Sequence, residues 1–244
     1  MKKKFLITAS IIVAALALTG CNRILSHIVY GEGDRVSVDA NVTDFTGISA
    51  GGIIEVVYIN APQPAARLYT YQNLQDYFGF NVRNGVLNVQ TRRNSPPISG
   101  MVRLYVYAPY LDYISLSGSA RATNWDEVHA GSVRINLSGA TRGEFELHAT
   151  NLDINASGSG NITLLGSANN LDISASGAST VEASQLFAHD ADVTASGSAR
   201  VGVFINDSLN ATASGASRIT YKTYDDSISA ITSTSGSGRI MRSN

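Results

Sequence analysis

The chain predicts an all-β parallel β-helix, a β-solenoid of about seven coils of roughly 20 residues beneath an N-terminal β cap. Three observations carry this. A Ser-Gly pair recurs with its glycine at 118, 139, 158, 177, 197, 215 and 236. The residues around each glycine alternate between apolar and polar with the two-residue period of a strand. Helical periodicity is absent from the same stretches, and β-branched residues and glycine are abundant in them.

Residues 1–20 read as an export signal: Lys2, Lys3 and Lys4 precede the apolar run "FLITASIIVAALAL", and "LTGC" follows. The segment resembles a bacterial lipoprotein signal, and that resemblance implies cleavage before Cys21 and acylation of its thiol. A plain transmembrane anchor is the alternative, but the run is short for a span of about 20 residues. Cys21 is the only cysteine in 244 residues, so the exported chain has no disulfide framework to draw on. Without the signal lysines the formal net charge falls from −1 to about −4, which argues against nucleic acid as a partner. Lys222 is then the sole lysine, and arginine carries the remaining basic charge.

Residues 21–41 show little pattern and are expected to be a lipidated tether. Residues 42–110 form an N-terminal β region with strand candidates at 53–59, 66–71, 80–90 and 102–109, and Asn84-Gly85 marks a hairpin turn. The solenoid repeats occupy 111–244, with 42–244 as one structural unit; by the usual hand of parallel crossovers the helix is right-handed.

Aligned on the glycine, the position four before it reads Ile114, Ile135, Ile154, Ile173, Val193, Ala211 and Thr232, and the position two before it reads Leu116, Leu137, Ala156, Ala175, Ala195, Ala213 and Thr234. Both columns are expected inside. Ser115, Asn136, Asn155, Ser174, Thr194, Thr212 and Ser233, between them, face water. Apolar residues resume four after the glycine, so the chain turns a corner at Ser-Gly, where a Cβ would obstruct the backbone. The residue after each glycine alternates Ser119, Ala140, Ser159, Ala178, Ser198, Ala216 and Ser237, and a serine hydroxyl on every second coil is expected to bond a neighbouring corner.

"FTGISAGGIIEVVY" from Phe45, "VRNGVLNV" from Val82, "YAPYLDYISLSGSA" from Tyr107 and the serial Ser-Gly corners resemble the bacterial head GIN domain family, described as a putative autotransporter adhesin. The resemblance spans about residues 42–240. It implies a β-helical exported protein of the bacterial envelope, often lipid-anchored, and supplies no catalytic residues.

Parallel β-helices also carry polysaccharide-degrading sites, so chemistry has to be sought in side chains. Asp153, Asp172 and Asp192 stand five before the glycine on consecutive coils, a row that could bind calcium, share protons or simply be solvated. Arg121, Arg142, Arg200, Arg218 and Arg239 stand three after it and could clamp a polyanion or pair along the coil. His129 and His148 could be neighbours on successive coils, but two histidines without a third ligand are a weak metal signal. No motif requires a cofactor or a resident metal, and no nucleotide loop or nucleophile elbow occurs.

The expectation is a non-enzymatic, lipid-anchored envelope protein that presents polar solenoid faces to a glycan or an envelope protein. The alternative is a carbohydrate-active lyase or hydrolase using the aspartate row on acidic polysaccharide. Asn22 is not the aspartate of inner-membrane retention in enteric bacteria, which favours the outer membrane. Too few residues follow Gly236 to form a cap, so Arg239, Ile240 and Met241 are expected to leave an open strand edge for a second copy or a partner strand.

Overall fold

A computed structural model describes residues 28–124, 126–224 and 228–243. The export signal, Cys21 and the start of the expected tether lie outside the described residues. Within them, nineteen strands and one 3-10 turn at Gln75–Tyr77 make an all-β fold whose long strands stack in parallel. No described helix is long and apolar enough to cross a membrane.

The solenoid grows from β10 (Tyr113–Leu116) and β11 (Arg121–Asn124) through β12 (Val128–Leu137), β13 (Arg142–Ala156), β14 (Asn161–Ala175), β15 (Thr180–Ala195) and β16 (Arg200–Ala213) to β17 (Arg218–Lys222), β18 (Ser229–Thr234) and β19 (Arg239–Arg242). Corresponding residues pair one above another: Ile135 with Ile154, Ile154 with Ile173, Ile173 with Val193, and Val193 with Ala211. The alternation predicted from the sequence is therefore the alternation of the pleat. Ile154 and Ile173 are fully buried, whereas Asn155 and Ser174 between the interior columns are exposed. Two further interior columns complete the core. Val133, Leu152, Leu171 and Leu209 lie six before the glycine, and Phe145, Leu164, Ala183 and Val203 lie six after it.

The seven Ser-Gly corners delimit six complete turns, one fewer than the expected seven coils, because a corner closes a turn only against the next one. Each corner glycine has a positive φ, from 65° at Gly236 to 81° at Gly139. The following N–H donates to the carbonyl of the glycine one coil below, as from Ala178 to Gly158 at 2.7 Å and from Ser198 to Gly177 at 2.7 Å. Backbone therefore passes directly over backbone, and a Cβ at Gly177 would stand 2.7 Å from the Gly158 oxygen.

The expected hydroxyl ladder is displaced by one residue. The residues directly after the glycines are exposed, and their ladder is made by backbone N–H. The hydroxyls that reach a corner come from the next column, where Ser217 Oγ donates to the Ala195 carbonyl at 3.0 Å and Ser179 Oγ to the Ala156 carbonyl at 3.4 Å, and from Ser157, directly before its glycine, whose Oγ donates to the Leu137 carbonyl at 3.2 Å. Side chains in the column of Ser179 and Ser217 point inward, where only the protein can supply an acceptor to a buried hydroxyl. Those of the exposed column have water.

The N-terminal β region, expected as a cap within one structural unit, also contributes coils to the stack. β3 (Gly47–Ala50) and β4 (Glu55–Asn60) already form a coil, pairing in parallel with β10 and β11, and Gly52 extends the glycine column with φ 83°. After β5 (Ala65–Tyr71) and β6 (Phe78–Arg83), β7 (Val86–Thr91) slides beneath β3 and β9 (Val102–Ala108) beneath β4. The chain thus enters the stack one coil above its end, steps down, then climbs.

Antiparallel strands cover that end: β6 against β7, β5 against β9, and β2 (Arg35–Asp39) against β5. Asn84 and Gly85, with φ 51° and 72°, form the predicted hairpin turn between β6 and β7. Part of the expected tether belongs to the fold, since β2 pairs with β5 and β1 (Val29–Tyr30) pairs with β8 (Ile98–Ser99).

At the other end β18 pairs with β16 and β19 with β17. Thr232 and Thr234 occupy the interior register yet are exposed, because nothing among the described residues closes the stack above them. Ile231 on the same strand is 69% exposed.

Candidate functional site

Since β-strand side chains on one face repeat at every coil, each outward column is an axial ladder with a rise of about 4.8 Å. Three such ladders carry the residues singled out from the sequence, and a cluster of aromatic rings was missed.

The aspartate row is real. Arg134, Asp153, Asp172, Asp192 and Asn210 follow one another in register. Its ends are engaged: Arg134 Nε donates to Asp153 Oδ2 at 2.7 Å, Asn155 Nδ2 to Asp153 Oδ1 at 2.7 Å, and Asn210 Nδ2 to Asp192 Oδ1 at 2.7 Å. Asp172 sits between two carboxylates in a shallow depression of about 330 Å³ lined also by Asn151, Asn170 and Asp190. Loss of solvation there, and then the charges of Asp153 and Asp192, push its carboxyl above the usual range. The row lies flat along the face, and no group of three or more acidic, histidine or cysteine side chains among the described residues converges as a metal site. Beside it runs an amide and hydroxyl ladder in which Asn170 Nδ2 donates to Asn151 Oδ1 at 2.9 Å and Asn151 Nδ2 to Ser132 Oγ at 3.2 Å.

The arginine row also exists as a column. Arg121 pairs in register with Arg142, Arg200 with Arg218, and Arg218 with Arg239, with Asn161 and Thr180 between the two groups. All five guanidinium groups are exposed, and none takes part in an ion pair with a described residue. One coil below Arg121, Glu55 is held by Arg103 at 2.9 Å.

His129 and His148 stack, with ring centroids 5.0 Å apart and planes 13° from parallel. Glu127 Oε2 lies 3.1 Å from His129 Nε2 and 3.5 Å from His148 Nε2. A metal must lie near the plane of each imidazole it binds, and rings stacked face to face on successive coils cannot share one. Of the two, His129 lines a polar hollow of about 560 Å³, together with Glu127, Asn60, Asn124, Asp126 and Glu146.

A shallow groove of about 370 Å³ runs along the face before the glycine corner, lined by Ser115, Asn136, Asn155, Ser174 and Thr194 on one side and Ser138, Ser157, Ser176 and Ser196 on the other. The small interior-column residues between these two polar columns leave the furrow open.

The feature that sequence reading missed is a cluster of partly exposed rings at the bend opposite the glycine corners. Phe187, Phe204 and Tyr224 meet there, with centroids 5.6 Å apart for the two phenylalanines and 4.6 Å for Phe204 and Tyr224. Counting from the glycines places these residues in different columns. A strand bulge brings the two phenylalanines together, because the register of β15 and β16 shifts between Ala183 and Phe187, and Tyr224 reaches them from just past β17.

The fold and its ladders define, over the described residues, a β-solenoid with flat polar faces and shallow surface grooves. The chain belongs to the family described as "putative auto-transporter adhesin, head GIN domain", whose model matches residues 44–223. No curated protein sequence matches it. Among solved structures it is similar to a putative adhesin of Bacteroides fragilis, with a TM-score of 0.82 at 19% identity over 88% of this chain and 100% of that one. A putative adhesin of Parabacteroides distasonis aligns with a TM-score of 0.70 at 19% identity over 89% of this chain and 100% of that one. A putative lipid binding protein of the same species aligns with a TM-score of 0.68 at 18% identity over 89% of this chain and 100% of that one. At these identities the likeness is one of fold.

Proposed function

We propose that the protein is a lipid-anchored adhesin of the bacterial envelope, tethered through Cys21, whose outward ladders bind an extended glycan without cleaving it. The observation that carries this reading is the continuity of the polar ladders. From Ser115 to Thr194, hydroxyls and amides line an open furrow along the stack axis, offering a long molecule the same contact at each coil. The family and its solved relatives described as adhesins support a surface role.

A hydrolase or lyase needs unlike groups converging where water is excluded. Here Asp153 and Asp192 are bound to neighbours on an open face, which supports the non-catalytic reading. The lipidated full-length chain in detergent should be retarded in native gels that contain a polysaccharide it binds, and it should leave that polysaccharide's chain length unchanged. Retardation by none of a panel of neutral and acidic polysaccharides, or a fall in chain length, would overturn the proposal.

A further inference from the structure

Resting on the adhesin reading, we infer that the bend carrying Phe187, Phe204 and Tyr224 is the primary glycan contact, and that it takes an uncharged pyranose stacked on Tyr224. The rings are unusual for this molecule. Outward positions elsewhere on the solenoid are mostly small or polar, whereas here two half-buried phenylalanines support a tyrosine that is 76% exposed. Tyr224 contacts both, at 4.6 Å from Phe204 and 5.9 Å from Phe187, so the ring is held in place while most of its surface meets water. A fixed, exposed π face matches the C–H face of a sugar ring, which can be desolvated at low cost.

Polar groups at the same bend provide what a sugar's rim requires. Asp207 organises them: its Oδ2 lies 3.1 Å from His189 Nδ1 and its Oδ1 accepts from Asn206 Nδ2 at 2.6 Å. That leaves His189 Nε2, the second Asn206 amide hydrogen and the Asn206 carbonyl to meet adjacent hydroxyls, as donor and acceptor in alternation. The His189 ring also packs edge-on to Phe187 at 5.5 Å, which ties the polar groups to the aromatic floor.

Charge selects the ligand class. Asp207 reaches the rings through His189, and Lys222 stands in register with Phe204, so one carboxylate and one ammonium lie at the bend. The bend therefore has no excess positive charge to draw uronic or sulfated sugars, which leaves an uncharged ring as its match.

The site also has a reach. Phe204, Phe187, Ser167, His148 and His129 follow one another in register along the stack, and His148 Nδ1 lies 2.8 Å from Ser167 Oγ. A chain of sugars starting on Tyr224 can therefore run along this column, meeting a ring or a hydroxyl at each coil.

The test uses the full-length chain in detergent and affinity electrophoresis against dextran, xylan, mannan and polygalacturonate. The wild type should be retarded by at least one neutral polysaccharide. Tyr224→Ala should weaken that binding about tenfold, whereas Tyr224→Phe, which keeps the stacking face, should remain within about threefold. Asp207→Ala should weaken it several-fold by releasing His189 and Asn206. The double variant Arg200→Ala, Arg218→Ala should bind neutral glycan as the wild type does. Neutral-glycan binding unchanged in Tyr224→Ala would overturn the site and leave the adhesin reading standing. Retardation by polygalacturonate alone, abolished in the arginine variant, would also overturn it and move the contact to the arginine row. Binding to none of the four would overturn both.

Discussion

Replacing Gly177 by alanine isolates the force that shapes every corner. Gly177 has φ 70°, a conformation that costs an L-residue about 1–2 kcal/mol. Its new Cβ would also stand 2.7 Å from the Gly158 oxygen and 3.2 Å from the Gly158 nitrogen, well inside contact distance. Relief requires lifting the corner, which stretches the 2.7 Å bond from the Ala178 N–H to that same oxygen, a loss of about 1 kcal/mol. The total is about 2–3 kcal/mol.

Gly52 supplies the control. Its φ of 83° imposes the same backbone strain, but a Cβ there meets nothing within 4 Å, so Gly52→Ala should cost only about 1–2 kcal/mol. In urea unfolding of the full-length protein in detergent, followed by far-UV circular dichroism, the midpoint should fall clearly further for Gly177→Ala than for Gly52→Ala. Equal shifts would mean that backbone strain alone explains the glycines and that the corners do not stack in contact.

Other substitutions probe the remaining layers. Ile173→Asp buries a carboxylate between coils and should cost several kcal/mol, while Asn155→Asp, on the exposed column, should cost only about 1 kcal/mol through the lost bond to Asp153 and the added like charge; comparable melting shifts would invert the assignment of faces. Thr141 is buried and its Oγ1 has no partner among the described residues, so Thr141→Val should raise stability by about 1 kcal/mol, and destabilisation would show that the hydroxyl is satisfied. The raised carboxyl of Asp172 means that the folded state holds this proton more tightly than the unfolded chain. The resulting penalty is absent below the ordinary aspartate range and complete above the folded value. Asp172→Asn should therefore melt above the wild type at pH 7 and low salt but not at pH 3, the gap shrinking with salt; a gap independent of pH would exclude this origin. Cys21→Ala should release the protein from membranes or leave it unprocessed, and normal size with full membrane retention would contradict lipidation.

Residue spacing alone determined the repeat, the corners and the faces. A parallel stack imposes one register on all coils, so Ile114, Ile135, Ile154 and Ile173 had to share a column, and the aspartate and arginine rows followed from counting. The N-terminal coil was harder to read. The corner at Gly52 lacks its serine, and nothing in linear order reveals that β7 and β9 pass beneath strands that precede them. Counting also placed the hydroxyl ladder one residue early, because it gives the column of a side chain but not which column must satisfy a buried donor.

The tertiary structure alone assembled the aromatic site. Phe187 lies ten residues after its glycine, Phe204 seven and Tyr224 nine, so no fixed period relates them. The register shift between β15 and β16 sets Phe187 against Phe204, and the chain leaving β17 brings Tyr224 onto both. Periodic sequence specifies whatever a lattice of backbone hydrogen bonds repeats. Where the lattice breaks, neighbours are chosen by packing among residues distant in the chain, and only the folded molecule shows which ones meet.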